Sequence, residues 1–177
     1  TGEVVKLIAN QNRQIATSNE IAIFWDMIEA MFDNNEIIDK WHFLITRTSS
    51  ISGVKEQIVF PEAKDVMKIK FNSIYKIYSE HARKQNNKAL PPATLKYYLE
   101  NTKYFLGVEK STRFSRKDYS AAEGKAIEQR QVTSSWCFDY LALNINLIRT
   151  DRFEENTGDI VTESFREETE TDENLPF

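Results

Sequence analysis

Apolar residues at Ile21, Phe24, Trp25, Ile28, Met31 and Phe32 recur at the i, i+3, i+4, i+7 spacing of an amphipathic helix, which predicts a helix over residues 16–32. Thr17 and Glu20 have capping-box spacing, so the hydroxyl and the carboxylate can each satisfy an orphan N–H at its start. Asp33-Asn34-Asn35 ends it, and Val4, Leu7 and Ile8 point to a shorter helix before it. From residue 40 to 72 the period becomes two. Trp41, Phe43 and Ile45 alternate with His42, Leu44 and Thr46, as in a half-buried strand. Residues 57–60 and 66–71 read as further strands, separated by Pro61 and a polar turn.

A second amphipathic helix is expected over 73–85, with Ile74, Tyr75, Tyr78 and Ala82 inward and Lys76, Arg83 and Lys84 outward. Asn86-Asn87 ends it. Pro91-Pro92 opens a third helix, 92–101, because Pro is tolerated in a first turn whose N–H groups have no partner. Its inner face is Leu95, Tyr98 and Leu99; its outer face is Thr94, Lys96, Tyr97 and Asn101. Residues 104–114 and 134–141 read as extended. The polar stretch 115–132 is too long for a tight turn and is expected to be a mobile loop or to hold a short helix near 121–129. Beyond about residue 150 apolar residues thin out and Glu dominates, which predicts a tail without a core of its own.

Composition narrows the class. The chain has 177 residues, 41% hydrophobic and 12% aromatic, enough for a sizeable core and too apolar for wholesale disorder. No apolar run approaches the roughly 20 residues of a membrane span. A single cysteine, Cys137, cannot form an internal disulfide, so a reduced cytoplasmic setting is expected. One Cys and two His exclude a Cys/His structural zinc site, and no cofactor is implied.

Charge changes the picture further. Residues 151–177 hold ten Asp/Glu against Arg152 and Arg166, a net −8, whereas residues 1–150 carry a net +4. Within 68–117, twelve Lys/Arg stand against Glu80, Glu100 and Glu109, a net +9. A basic body with an acidic tail points to a polyanionic partner.

Strand, helix, helix and basic hairpin follow one another in the order of a winged helix, in which the second helix enters the major groove and the hairpin contacts phosphates. The expected fold is therefore α+β: a helical segment with short strands over 1–65, a winged-helix domain over 66–143, and an acidic tail over 144–177. Lys88 precedes the recognition helix, Thr94, Lys96 and Tyr97 stand on its outer face, and Lys103, Lys110, Arg113, Arg116 and Lys117 follow along the wing. These residues are the candidate DNA contacts, the cations giving affinity without sequence choice.

A resemblance enters on these residues. The run Phe71-Asn72-Ser73-Ile74-Tyr75-Lys76-Ile77-Tyr78, then Ala89-Leu90-Pro91-Pro92-Ala93-Thr94-Leu95-Lys96-Tyr97-Tyr98-Leu99, then Tyr104-Phe105-Leu106-Gly107, resembles the C-terminal region of phage and mobile-element primase–helicases of the poxvirus type. The helix with Phe24-Trp25-Asp26-Met27-Ile28 is similar to the one preceding that domain in bacterial mobile-element versions. The resemblance implies a winged-helix DNA-binding module of a replication protein. The stretch 115–132 and the strands over 41–60 depart from it. The end Asp172-Glu173-Asn174-Leu175-Pro176-Phe177 resembles the acidic tip of bacterial single-stranded-DNA-binding proteins, which implies partner binding through Leu175, Pro176 and Phe177. In that alternative the chain is a protein-interaction domain that recruits replication partners.

Enzyme readings find little support. Gly107-Val108-Glu109-Lys110-Ser111-Thr112 ends like a phosphate loop but lacks both the Gly before Lys and the first Gly of that motif. Cys137 lies between Trp136 and Phe138, where a buried structural thiol is expected. His81 is expected at the surface or half-buried, and Trp25 and Trp41 in the core. No catalytic residue is assigned.

Overall fold

A computed structural model describes residues 2–148, so the expectations for the tail, including Leu175, Pro176 and Phe177, lie outside the described residues. Of the described residues, 2–145 form one compact unit and 146–148 fall outside it. That unit is mixed α+β, with a four-stranded antiparallel sheet.

Helix α1 runs without a break over Gly2–Asp33. The two helices expected there are one, because nothing between residues 3 and 33 breaks a helix. Thr17 is therefore interior, and its capping-box spacing does not mark a start. Ile21, Phe24, Trp25, Met27, Ile28, Met31 and Phe32 are buried. Asn35, at φ 58°, turns the chain out of α1, a conformation Asn tolerates better than most residues.

Strands β1 (Phe43–Ser52) and β2 (Gln57–Ile69) form a hairpin. The two strands expected over 57–71 are one continuous strand. The register steps from Thr48↔Lys64 to Ser50↔Val59, so residues 60–63 bulge opposite Ser49. Pro61 sits in that bulge, where no ladder bond requires its missing N–H.

Helix α2 (Phe71–Lys84) follows, then α3 (Pro92–Glu100), each close to expectation. The turn between them is held by two tyrosines: the Tyr75 hydroxyl donates to the Leu90 carbonyl at 2.9 Å, and the Leu90 N–H donates to the Tyr78 hydroxyl at 3.1 Å. His81 is buried rather than surface-placed; its Nδ1 lies 2.9 Å from Glu36 Oε1 and its Nε2 2.9 Å from Gln85 Nε2.

Strands β3 (Phe105–Ser120) and β4 (Lys125–Asp139) complete the sheet in the order β1-β2-β4-β3, and the short α4 (Tyr140–Leu143) follows. The stretch 115–132 is neither loop nor helix. It is the far half of this hairpin, paired from Thr112↔Thr133 to Ser120↔Lys125 and closed by residues 121–124. Gly124, at φ 61°, makes the return, its N–H bonded to the Ser120 carbonyl at 2.9 Å.

Both faces of the sheet are covered near its middle, so Trp136, Cys137 and Phe138 are all buried rather than alternating. On one side Trp25 meets Phe138 edge-on at 5.2 Å and Phe71 meets Trp136 at 5.2 Å. A second cluster unites Ile51, Phe60, Val66 and Cys137, flanked by Ile58 and Leu106. It forms because the sheet curls until its outer strands meet through a Gly53↔Glu109 bridge. Gly107 has a φ of 142°, a conformation that other residues rarely adopt, and a Cβ there would also come within 2.8 Å of Ile58 Cδ1. The boundary expected at 65/66 falls inside β2, which ties β1 to β4.

Candidate nucleic-acid interface

The β3–β4 hairpin leaves the sheet as an arm. Strand β2 pairs with β4 only from Ile69↔Trp136 to Val66↔Asp139, so beyond Thr133 the two arm strands form ladder pairs only with each other, and the Ser115 N–H donates to the Lys40 carbonyl at 2.9 Å. From Thr112 to Ser120 the arm extends about 26 Å at the usual strand rise. Residues 121–132 are exposed throughout.

The root of the arm is built on a buried ion pair that sequence reasoning missed. Lys68 Nζ lies 2.7 Å from Glu109 Oε2, with side chains 11% and 10% exposed. The Thr112 hydroxyl donates to the same carboxylate and lies 2.6 Å from the Ser135 hydroxyl, while the Ser52 N–H donates to Glu109 Oε1 at 3.5 Å. Burial pushes the Glu109 carboxyl up, but the hydrogen bonds from Lys68 and Thr112 and the Lys68 charge outweigh it and hold it below its ordinary range. Nothing local in the sequence distinguishes Glu109 from the solvated acids.

Strand alternation sorts the arm into two faces. Residues opposite one another share a face, so Arg113, Ser115, Lys117 and Tyr119 lie with Val132, Arg130, Glu128 and Ala126. On this face Arg113, Lys117, Arg130 and Tyr119 are exposed. Glu128 holds the Arg130 guanidinium through two hydrogen bonds, at 3.1 and 2.7 Å. Arg130 and Tyr119 were not among the expected contacts; the even spacing of Arg113, Lys117 and Tyr119, which places them on one strand face, was the signal available for the latter.

Arg116 belongs to the other face and is engaged there. Its guanidinium lies 4.8 Å from the centre of the Trp41 ring, its Nε donates to Gln129 Oε1 at 3.0 Å, and it pairs with Asp118 at 2.9 Å. Lys70 approaches the same indole at 3.7 Å and donates to Gln131 Oε1 at 2.9 Å. Trp41 is thus half-buried under two cations rather than a core residue. Burial, and then the charges of Lys70 and Arg116, push the nearby His42 down to about 4. Its Nδ1 accepts the Ile38 N–H at 2.8 Å, which requires the neutral ring.

On the helical side Tyr97 is 65% exposed on α3, as its outer-face position predicts. Lys88 in the α2–α3 turn, Lys103 before β3 and Lys110 on β3 are exposed, and Thr94 is half-buried. Lys96 departs from expectation. It is half-buried, with Nζ 4.9 Å from the Phe71 ring and 5.9 Å from the Trp136 ring, because its aliphatic stem follows the apolar side of α3.

Other chemistries find no constellation. Burial pushes the Cys137 thiol up to about 11, which leaves it protonated and inert. No group of three metal-ligating side chains occurs among the described residues, and no described helix is long and apolar enough to cross a membrane. The chain is thus a mixed α+β domain carrying a long basic hairpin arm. No protein family, curated protein or solved structure matches it.

Proposed function

We propose that this domain is a non-catalytic DNA-binding module of winged-helix type, with α3 as the recognition helix and the β3–β4 arm as a long wing. The observation that carries the reading is the exposure of Arg113, Lys117 and Arg130 together on one face of the arm. The element order supports it, as does the placement of β4 between β2 and β3, which brings the hairpin beside the helices. Tyr97 and Lys88 stand on the helical side of the same module. The resemblance to primase–helicases makes a replication protein of a phage or mobile element the proposed parent.

Cations of this kind bind phosphates and release counterions, so affinity should fall steeply with salt and depend little on sequence. The test is a fluorescence-anisotropy titration of the chain with labelled duplex and single-stranded oligonucleotides at two salt concentrations. Binding that weakens with salt is expected. No binding at low salt, or binding indifferent to salt, overturns the reading.

A further inference from the structure

Tyr119 is the most exposed large hydrophobic side chain of the arm, at 75%. It stands two residues before the closing turn, opposite Ala126, whose methyl group cannot cover the ring. Tyr97 has Tyr98 beside it at 6.2 Å, and Phe114 lies beneath the Lys70 ammonium at 5.1 Å. No such ring or cation contact is made by Tyr119 among the described residues. Leaving an aromatic face bare forgoes the burial that would stabilise it, and its surroundings fit a particular partner.

Along the same face Arg113 and Lys117 are four residues apart, about 13 Å. Arg130, opposite Ser115, falls between them. Cations thus recur about every 6.6 Å toward the ring, by strand geometry. This suits successive phosphates of an extended strand. Glu128 is the one acid on the face, and it is paired with Arg130.

We infer that the arm holds a single strand of DNA: Arg113, Arg130 and Lys117 follow its phosphates, and Tyr119 stacks on an unpaired base at the tip. The preferred ligand is then a single strand leaving a duplex rather than uniform duplex. One argument favours this within the DNA-binding reading, on which it rests. An intact duplex hides its base faces, so a bare ring gains little from it, whereas any unpaired base offers a stacking surface without regard to sequence.

The experiment titrates the chain against a blunt duplex, the same duplex with a single-stranded overhang, and oligothymidine. Wild type is compared with Tyr119→Ala, Tyr119→Trp and the charge variant Arg113→Glu/Lys117→Glu, with circular dichroism confirming the fold. Wild type should prefer the overhang and the single strand. Tyr119→Ala should lose roughly five- to hundred-fold on these two ligands and nothing on the blunt duplex, with Tyr119→Trp restoring the loss. Equal affinity of wild type for blunt and overhang DNA overturns the inference, as does a Tyr119→Ala effect that is absent or equal on all three. If the charge variant loses binding on every ligand while Tyr119→Ala is silent, the DNA-binding reading survives and only the inference fails. If wild type binds none of the three, both fail.

Discussion

Replacing Glu109 by Gln should destabilise the domain by about 3 kcal/mol, a large fraction of the stability of a small domain. The substitution keeps the shape and one acceptor for the Thr112 hydroxyl or the Ser52 N–H, but leaves the Lys68 ammonium buried without a counter-charge. Removing one partner of a buried pair costs about 3–5 kcal/mol, and the retained acceptor places this case at the low end. Lys68→Met should cost less, about 2 kcal/mol, because Thr112 and Ser52 still donate to the carboxylate. The double variant Lys68→Met/Glu109→Gln removes both charges, so its loss should fall short of the sum by about 1–3 kcal/mol.

Urea denaturation followed by tryptophan fluorescence measures all three. The Glu109 carboxyl is held below its ordinary 4.5, so its stabilisation is present above that pH and is lost as pH falls through the folded value. The gap between wild type and Glu109→Gln should therefore close in acid. Strict additivity in the cycle, or a Glu109→Gln loss below about 1 kcal/mol, would refute the argument that the arm is rooted on this pair.

Four further outcomes are expected. Arg113→Glu with Lys117→Glu should alter stability by only about 0.5 kcal/mol while flattening the salt slope of duplex binding by roughly 0.9 per lost contact, whereas Lys96→Glu should cost about 1–2 kcal/mol in urea melts because its ammonium faces Phe71 and Trp136. His42 is held neutral with its pKa lowered to about 4, so stability should fall as pH drops from about 6.5 to 4 while the unfolded ring takes up a proton that the folded ring refuses. For a half-buried ring this amounts to about 1–2 kcal/mol, and His42→Ala should remove that part of the pH dependence from thermal melts. Truncation after Thr150 removes a net −8 and should tighten DNA binding at low salt more than at high salt; equal affinities of the full and shortened chains would exclude competition by the tail.

Local pattern determined much of the domain. The helix containing Phe24, Trp25 and Ile28, the starts and ends of α2 and α3, and the inward faces at Ile74, Tyr78, Leu95 and Leu99 all follow from spacing, because each depends on neighbours within a few positions. The exposure of Arg113, Lys117 and Tyr97 was legible for the same reason. What pairs across long separations was not. Residues 115–132 carry no apolar alternation, since one face of the arm meets water and the other meets Trp41 and Lys70 through the polar Arg116 and Gln131, and only the ladder from Arg113↔Val132 to Ser120↔Lys125 makes them strands. Pro61 reads as a break, yet the step in β1–β2 register accommodates it within one strand. Glu109, Arg116 and Lys96 look like surface charges, but Lys68, Trp41 and the Phe71–Trp136 pair reach them from elsewhere in the chain. A charge takes its role from what folding places beside it, and in those three cases the partner lies at least 25 residues away for one contact or more.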